Sequence, residues 1–467
     1  MMFEKIVSIL NGIIWSPALV VLLVGAGIYF SLRTRFVQVR RFGLMIRSLF
    51  SPSEKTADGK RMGISSFEAF CVALSGRVGT GNIVGVATAI ALGGPGAVFW
   101  MWLIAFFGAS TAFMESTLAQ QYKFTHASGF RGGPASYIEK GLGLRWLGVL
   151  FSVLCVIGYG LFLPTVQANG VAGALANSFS LPPLATGLAI AAVLGLVIIG
   201  GIKSISRVAS IVTPFMALGY IIITVIVIAH HIDAVPAMLL SIITNAFGVG
   251  PLSGGIIGST IMWGVKRGIF SNEAGEGGGA IVSASAAVSH PAKQGLAQAF
   301  SVYVDTLLIC TATALMILCS GTYNVYDAHS GNIIYGGAAE LGNNYVGYTQ
   351  AAVDSVLTGF GGTFVSIALI FFVFTTVMAY YFYGESSIMQ IFEGRPNLRK
   401  VEKTCIWVFR FAILGMFVFG AVREAGVIWD LGDVGVGLTA WINVIVLLVL
   451  CPKAIAALRD YEKSQKH

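Results

Sequence analysis

An all-α polytopic membrane protein with about eleven transmembrane helices is the fold class this sequence predicts, and three observations predict it. Of its 467 residues, 56% are hydrophobic and only 11% are charged, whereas an average soluble chain carries about 25% charged residues. Apolar runs of about 20 residues, the length that crosses the hydrocarbon core of a bilayer, recur from end to end. Lys and Arg gather in alternating loops between those runs, which is how membrane topology is set. A chain of this kind dissolves in lipid, so the bilayer is its first partner.

The apolar runs fall at 13–32, 67–92, 96–120, 146–168, 184–202, 208–229, 254–288, 296–320, 361–385, 404–421 and 427–451. The first is followed by Arg33, Arg35, Arg40, Arg41 and Arg47, with no small-residue cleavage site. It therefore reads as a retained span whose start faces outside. Stretch 35–50 reads as an amphipathic helix on the inner surface. Lys123, Arg131, Lys140 and Arg145 mark an inner loop, Lys203 and Arg207 the next, Lys293 the inner end of span seven, and Arg395, Arg399, Lys400 and Lys403 a further one. Lys453, Arg459, Lys463 and Lys466 place the tail, 452–467, in the cytoplasm. Segment 321–360 has Asp327, Glu340 and Asp354 but neither Lys nor Arg, as an outer loop should. Short apolar segments at 237–247 and 350–360 are expected over the outer mouth. With this alternation, spans two to six (67–229) and seven to eleven (254–451) form two five-helix units of opposite orientation. Span one is extra, and the whole is a 5+5 inverted repeat in one transmembrane domain of the inner membrane.

Composition also excludes functions. The net charge of +8 resides at helix ends and not on one face, which excludes a nucleic-acid partner. None of the six cysteines makes a CxxC pair and the six histidines show no HExxH spacing. No transition-metal centre or organic cofactor is implied. No nucleophile–base constellation suggests an enzyme. A passive channel would need a continuous polar lining, but the polar residues here collect at one depth.

Spans two and seven are the informative ones, because both are broken. Span two carries Ser75-Gly76-Arg77-Val78-Gly79-Thr80-Gly81-Asn82, and span seven carries Arg267-Gly268-Ile269-Phe270-Ser271-Asn272-Glu273-Ala274-Gly275. Unpaired backbone at membrane depth costs several kcal/mol per group, roughly, unless it lines a cavity or holds a ligand. Two breaks at matching places of two halves are the pattern of a secondary transporter's binding site. Amides freed at a half-helix N-terminus suit a carboxylate, and freed carbonyls suit an ammonium group or sodium. A zwitterionic amino acid presents both charges. Glycines alone would equally suit a small-residue packing face, but Arg77, Thr80 and Asn82 shift the balance to ligand binding. Asn272 and Glu273 either bind ligand or ion, or pair with Arg77 or Lys266 to hold the fold. Asp305 in span eight is an intramembrane carboxylate that either sits near sodium or pairs with Arg77. Thr375 and Thr376 in span nine offer hydroxyls to a hard cation or to their own helix carbonyls. Gln167 and Asn169 are polar on an apolar span beside Phe162 and Pro164, whereas Glu115 and Glu385 read as structural.

At these residues the chain resembles the alanine or glycine:cation symporters, also called sodium:alanine symporters. The resemblance rests on Gly79-Thr80-Gly81-Asn82-Ile83, on Ala91-Leu92-Gly93-Gly94-Pro95-Gly96-Ala97-Val98-Phe99-Trp100-Met101-Trp102, and on Gly268-Ile269-Phe270-Ser271-Asn272-Glu273-Ala274-Gly275. It runs on through Asp305-Thr306 and covers nearly the whole chain. It implies a LeuT-like fold and sodium-driven uptake of a small neutral amino acid, alanine first and glycine next, with glutamine or proton coupling as alternatives. It further implies that the Thr80 and Gly81 amides hold the substrate carboxylate, with Phe162 and Gln167 as walls and Phe270, Ser271 and Asn272 closing the pocket. Asn82, with Asp305 as a candidate neighbour, would serve one sodium. The Ser75 and Val78 carbonyls would join the Thr375 and Thr376 hydroxyls around a second. The chain departs from the expected pattern after Gly275, where Glu276-Gly277-Gly278-Gly279 replaces Gly-Ser-Ala-Pro.

Overall fold

A computed structural model describes residues 2–53, 63–250 and 257–465; the first residues of the expected seventh span, 254–256, lie outside these. Among the described residues, seven helices are each long and apolar enough to cross a membrane, and a bent helix pair at the N-terminus makes an eighth. Helix Pro183–Ile198 is apolar but only 16 residues long. The two broken spans, whose halves are individually too short, complete a set compatible with eleven crossings.

Boundaries differ from the hydropathy reading where polarity and helicity part company. The first span is preceded by helix Met2–Ile14, which bends by 41° into Pro17–Arg33. Pro17, lacking an amide hydrogen, opens the second helix after an extended Ser16. Trp15 anchors the bend by donating its indole N–H to the Asp433 carbonyl at 2.8 Å. The fourth span, Arg145–Phe179, is 35 residues long and contains a π turn at Gly158–Phe162. The eighth, Pro291–Ser320, contains another at Tyr303–Cys310. The last helix runs unbroken from Ala425 to Ser464, so the tail is mostly helical and not an irregular extension. Stretch 35–50 forms two short helices, Val37–Arg40 and Phe42–Leu49. They are tied to the last helix by Arg40 and Arg41, 2.6 and 2.9 Å from the Glu462 carboxylate.

Two small antiparallel hairpins interrupt the all-helical architecture. One pairs Phe124–His126 with Gly129–Arg131 at the basic end of the bundle. The other pairs Asn324–Tyr326 with Ile333–Gly336 in the acidic loop. Helix Val235–Ala246 occupies the first of the two short apolar segments, while helix Tyr345–Asp354 ends within the second, whose residues 355–360 form turns.

Both expected breaks are present. Span two is a helix from Ser66 to Arg77, a 3-10 turn over Thr80–Asn82, and a second helix from Val84 to Gly93. Span seven is a helix from Ile257 to Asn272, then Glu273 to Gly277 unwound, then a short helix from Gly278 to Ala284. Gly275 and Gly277 have φ of +93° and +99°, which side-chain-bearing residues rarely adopt. That requirement accounts for Gly275 and for Gly277, the glycines on either side of Glu276. The two breaks face each other: a Cβ on Gly81 would stand 3.1 Å from the Phe270 ring.

Candidate substrate and cation site

The span-two break gathers three kinds of oxygen. The Thr80 amide donates to Gln167 Oε1 at 2.9 Å, so a side-chain oxygen already stands where a carboxylate oxygen would accept. Asn82 turns its Oδ1 back to the Gly79 amide at 2.8 Å and its Nδ2 to Asp305 Oδ1 at 2.6 Å. Asp305 Oδ2 accepts from Ser271 at 2.8 Å and from Thr306 at 2.7 Å. One buried carboxylate thus joins spans two, seven and eight. Arg77 is not its hydrogen-bonding partner.

A second oxygen cluster lies on the other side of the break. Thr376 Oγ1 is 2.8 Å from the Ser75 carbonyl, 3.1 Å from that of Val78 and 2.8 Å from that of Phe372. A hydroxyl carries one hydrogen and can satisfy one of these three acceptors at a time. The Ser75 and Val78 carbonyls converge on this hydroxyl, an environment a hard cation favours. Thr375, its neighbour, turns away. Its hydroxyl donates to its own helix carbonyls, Phe371 at 2.9 Å and Phe372 at 3.1 Å, and faces Met216 of span six. Helix phase separates the two threonines, and the Phe372 carbonyl takes the place expected for Thr375.

Arg77 fastens one break to the other. Its Nε donates to the Asn272 carbonyl at 2.6 Å, and its Nη1 bonds Gln298 Oε1 at 3.1 Å and the Ser301 hydroxyl. A cation at the last carbonyls of the first half of span seven complements that helix's dipole. Asn272 also caps the break itself, its Oδ1 accepting from the Ala274 amide at 2.9 Å, while its buried Nδ2 has no hydrogen-bond partner among the described residues. Lys266 does not reach Glu273; it pairs with Asp433 at 2.6 Å.

Several contributors carry no clear sequence signal. Tyr159, at the π turn of span four, donates to Glu276 Oε2 at 2.9 Å. Phe162, expected from the resemblance as a wall, lies at the end of that turn, half-buried against the core. Cys310, apolar in the sequence reading, lies 3.1 Å from the Ser271 hydroxyl and 3.3 Å from Asn82 Nδ2. Glu115 accepts from Asn443 at 3.1 Å, and Asn443 also donates to the Gly275 carbonyl at 2.9 Å, so span three supports the second break. On the opposite side of Phe270, Arg267 pairs with Asp433 at 2.5 Å and lies over the rings of Trp263, Phe270 and Trp429.

A helical membrane bundle in which two unwound segments face each other across buried oxygen clusters has the architecture of a LeuT-like secondary transporter. The crystal structure of MhsT in complex with L-phenylalanine shares that fold, with a TM-score of 0.56 at 15% identity over 85% of this chain and 98% of that one. The chain belongs to the sodium:alanine symporter family, which it matches over residues 1–467. It is thus a multi-pass membrane transporter and not an enzyme. It is 48% identical to the putative sodium/proton-dependent alanine carrier protein YrbD of Bacillus subtilis over 98% of this chain and 93% of that one. It is 42% identical to the probable sodium/glutamine symporter GlnT of the same organism over 99% and 91%.

Proposed function

We propose that this transporter carries a small neutral amino acid, alanine first and glycine next, into the cell together with sodium. The oxygen cluster of Ser75, Val78, Phe372 and Thr376 supports this most directly, because it adjoins a break whose Thr80 amide already holds an oxygen. In this reading the substrate carboxylate replaces Gln167 Oε1 at the Thr80 and Gly81 amides, and Phe270 closes over it with Ser271 and Asn272. One sodium binds at Asn82 and Asp305 and a second at the carbonyl cluster. The Phe270 ring lies close to both Gly81 and Gly432, where an added Cβ would stand 3.1 and 3.5 Å from it; in this reading the closeness favours a small side chain such as that of alanine. The basic end of the bundle faces the cytoplasm and the chain starts outside. Rocking of one helix group then opens the midplane site to either side. Sodium entry drives it, supplying ~2.3 kcal/mol per charge per 100 mV besides its concentration gradient.

Uptake by proteoliposomes under imposed sodium or proton gradients, with competing amino acids, tests the proposal. Alanine accumulation that follows the sodium gradient and is competed by glycine is expected. Accumulation of glutamine in preference to alanine would refute the substrate, and indifference to sodium would refute the coupling ion.

A further inference from the structure

Beside the substrate site lies a group of four acids, of which the proposed mechanism uses only Asp305. Glu115, Glu273, Glu276 and Asp305 are 0–1% exposed, and the cation they face is Arg77, itself 2% exposed. Among the described residues, Oε1 of Glu273 and of Glu276 has no hydrogen-bond partner. Unpaired carboxylate oxygens at this depth are too costly to remain charged without compensation. Resting on the proposed function, the sodium at Asn82 offsets Asp305, so Arg77 faces Glu115, Glu273 and Glu276 with one positive charge against three carboxylates, which leaves charge to neutralise.

The geometry locates it. Tyr159 donates to Glu276 Oε2 at 2.9 Å and Tyr383 to Glu273 Oε2 at 3.2 Å. The two rings pack edge to face, with centroids 5.0 Å apart. A Cβ on Gly278 would stand 2.8 Å from Glu273 Oε2 and 3.0 Å from the Tyr159 hydroxyl, so both border one point at the start of the second half of span seven. Asp305 is already served by three donors and Glu115 by Asn443. Glu276 faces Glu273 of its own break, Tyr159 of span four, Glu115 of span three, Arg77 of span two and Tyr380 of span nine, with Tyr383 beside Glu273.

We infer that Glu273 and Glu276 form a proton-binding site, separate from the sodium and substrate sites, which holds one proton, with Tyr159 donating to Glu276 and Tyr383 to Glu273. Two carboxylates sharing a buried space cannot both ionise cheaply. The bound proton keeps the unwound segment packed. Its loss sets the two carboxylates against each other and displaces the short helix Gly278–Ala284.

The test uses the full-length transporter in proteoliposomes. Infrared spectra at neutral pH should show the carbonyl band of a protonated carboxylic acid that is lost in Glu276→Gln. Sodium-dependent alanine exchange should fall in the wild type as pH rises, while Glu276→Gln, whose amide stands in for the protonated acid, keeps exchanging with a flat pH profile. Tyr159→Phe leaves both acids but removes a donor to the charged form, so its midpoint should move up by about one pH unit. This variant decides the matter if Glu276→Gln does not fold. An unchanged infrared band and pH profile in Glu276→Gln, or an unmoved midpoint in Tyr159→Phe, would overturn the site. Absence of sodium-dependent exchange in the wild type would refute the function, while the infrared difference would still judge the proton site.

Discussion

At the scale of single residues, adjacent threonines with the same chemistry have different surroundings. Thr376→Val keeps the side-chain shape but removes the oxygen nearest three carbonyls. It should raise the sodium concentration for half-maximal alanine uptake about tenfold, as loss of an ion-bound oxygen worth ~1.5 kcal/mol would. Thr375→Val should change it by less than about twofold, because its hydroxyl only returns to its own helix. Sodium titrations of uptake for the two variants check both statements, and equal curves would remove Thr376 from the cation site. Asn82→Ala, which deprives Asp305 of a donor at 2.6 Å, should abolish sodium-stimulated uptake while membrane expression persists. Of these residues, Asn82, Thr80 and Asp305 are legible in the sequence because polar groups at membrane depth need a reason. Tyr159 and Tyr383 are not legible, since an aromatic residue in a span is usually core. Nor can spacing tell Thr375 from Thr376, because neighbours differ only by helix phase.

At the scale of elements, the two breaks are the part the sequence marks most plainly, and their clamp is the part it hides. Arg77 follows the glycine of a small-residue stretch, but its partners Asn272, Gln298 and Ser301 come from spans seven and eight. Only the fold brings them together. Gly79→Ala would place a methyl 2.7 Å from Gln167 Oε1 and 2.8 Å from Thr376 Oγ1, crowding the substrate and cation positions at once. Uptake should fall more than about tenfold, the effect of ~1.4 kcal/mol or more lost from binding, without loss of expression. Arg77→Gln should act differently. It removes the cation from the Asn272 carbonyl and from four buried acids, a loss of about 3–5 kcal/mol by analogy with broken buried pairs. Its thermal unfolding in detergent should shift down by several degrees, whereas Gly79→Ala should melt near the wild type. An unaltered melting temperature in Arg77→Gln would refute its role as a clamp. Element ends follow the same logic. Hydropathy measures depth in lipid, so it stops at Cys451 although the helix continues to Ser464. It also misses Met2–Ile14, which contains Glu4, Lys5 and Asn11.

At the scale of the whole molecule, orientation is the property that the loop charges imply. Arg131, Glu385 and Arg410 form a buried ion network at one end of the bundle, at 3.9 and 3.4 Å. They line a cavity of about 730 Å³ with His126, Lys203 and Glu402. The hairpin Asn324–Tyr326 with Ile333–Gly336 belongs to the acidic loop. Positive residues resist translocation, so the network end should face the cytoplasm and the acidic hairpin the exterior. A cysteine replacing exposed Ser330, in that loop, should therefore react with a membrane-impermeant maleimide in intact cells. One replacing exposed Ser464, at the end of the last helix, should react only after permeabilisation. The native cysteines are buried apart from the half-buried Cys405, so Cys405→Ser supplies a quiet background. The reverse labelling pattern would invert every span and place the proton site on the outer side of the substrate, while the sodium gradient would still set the direction of net transport.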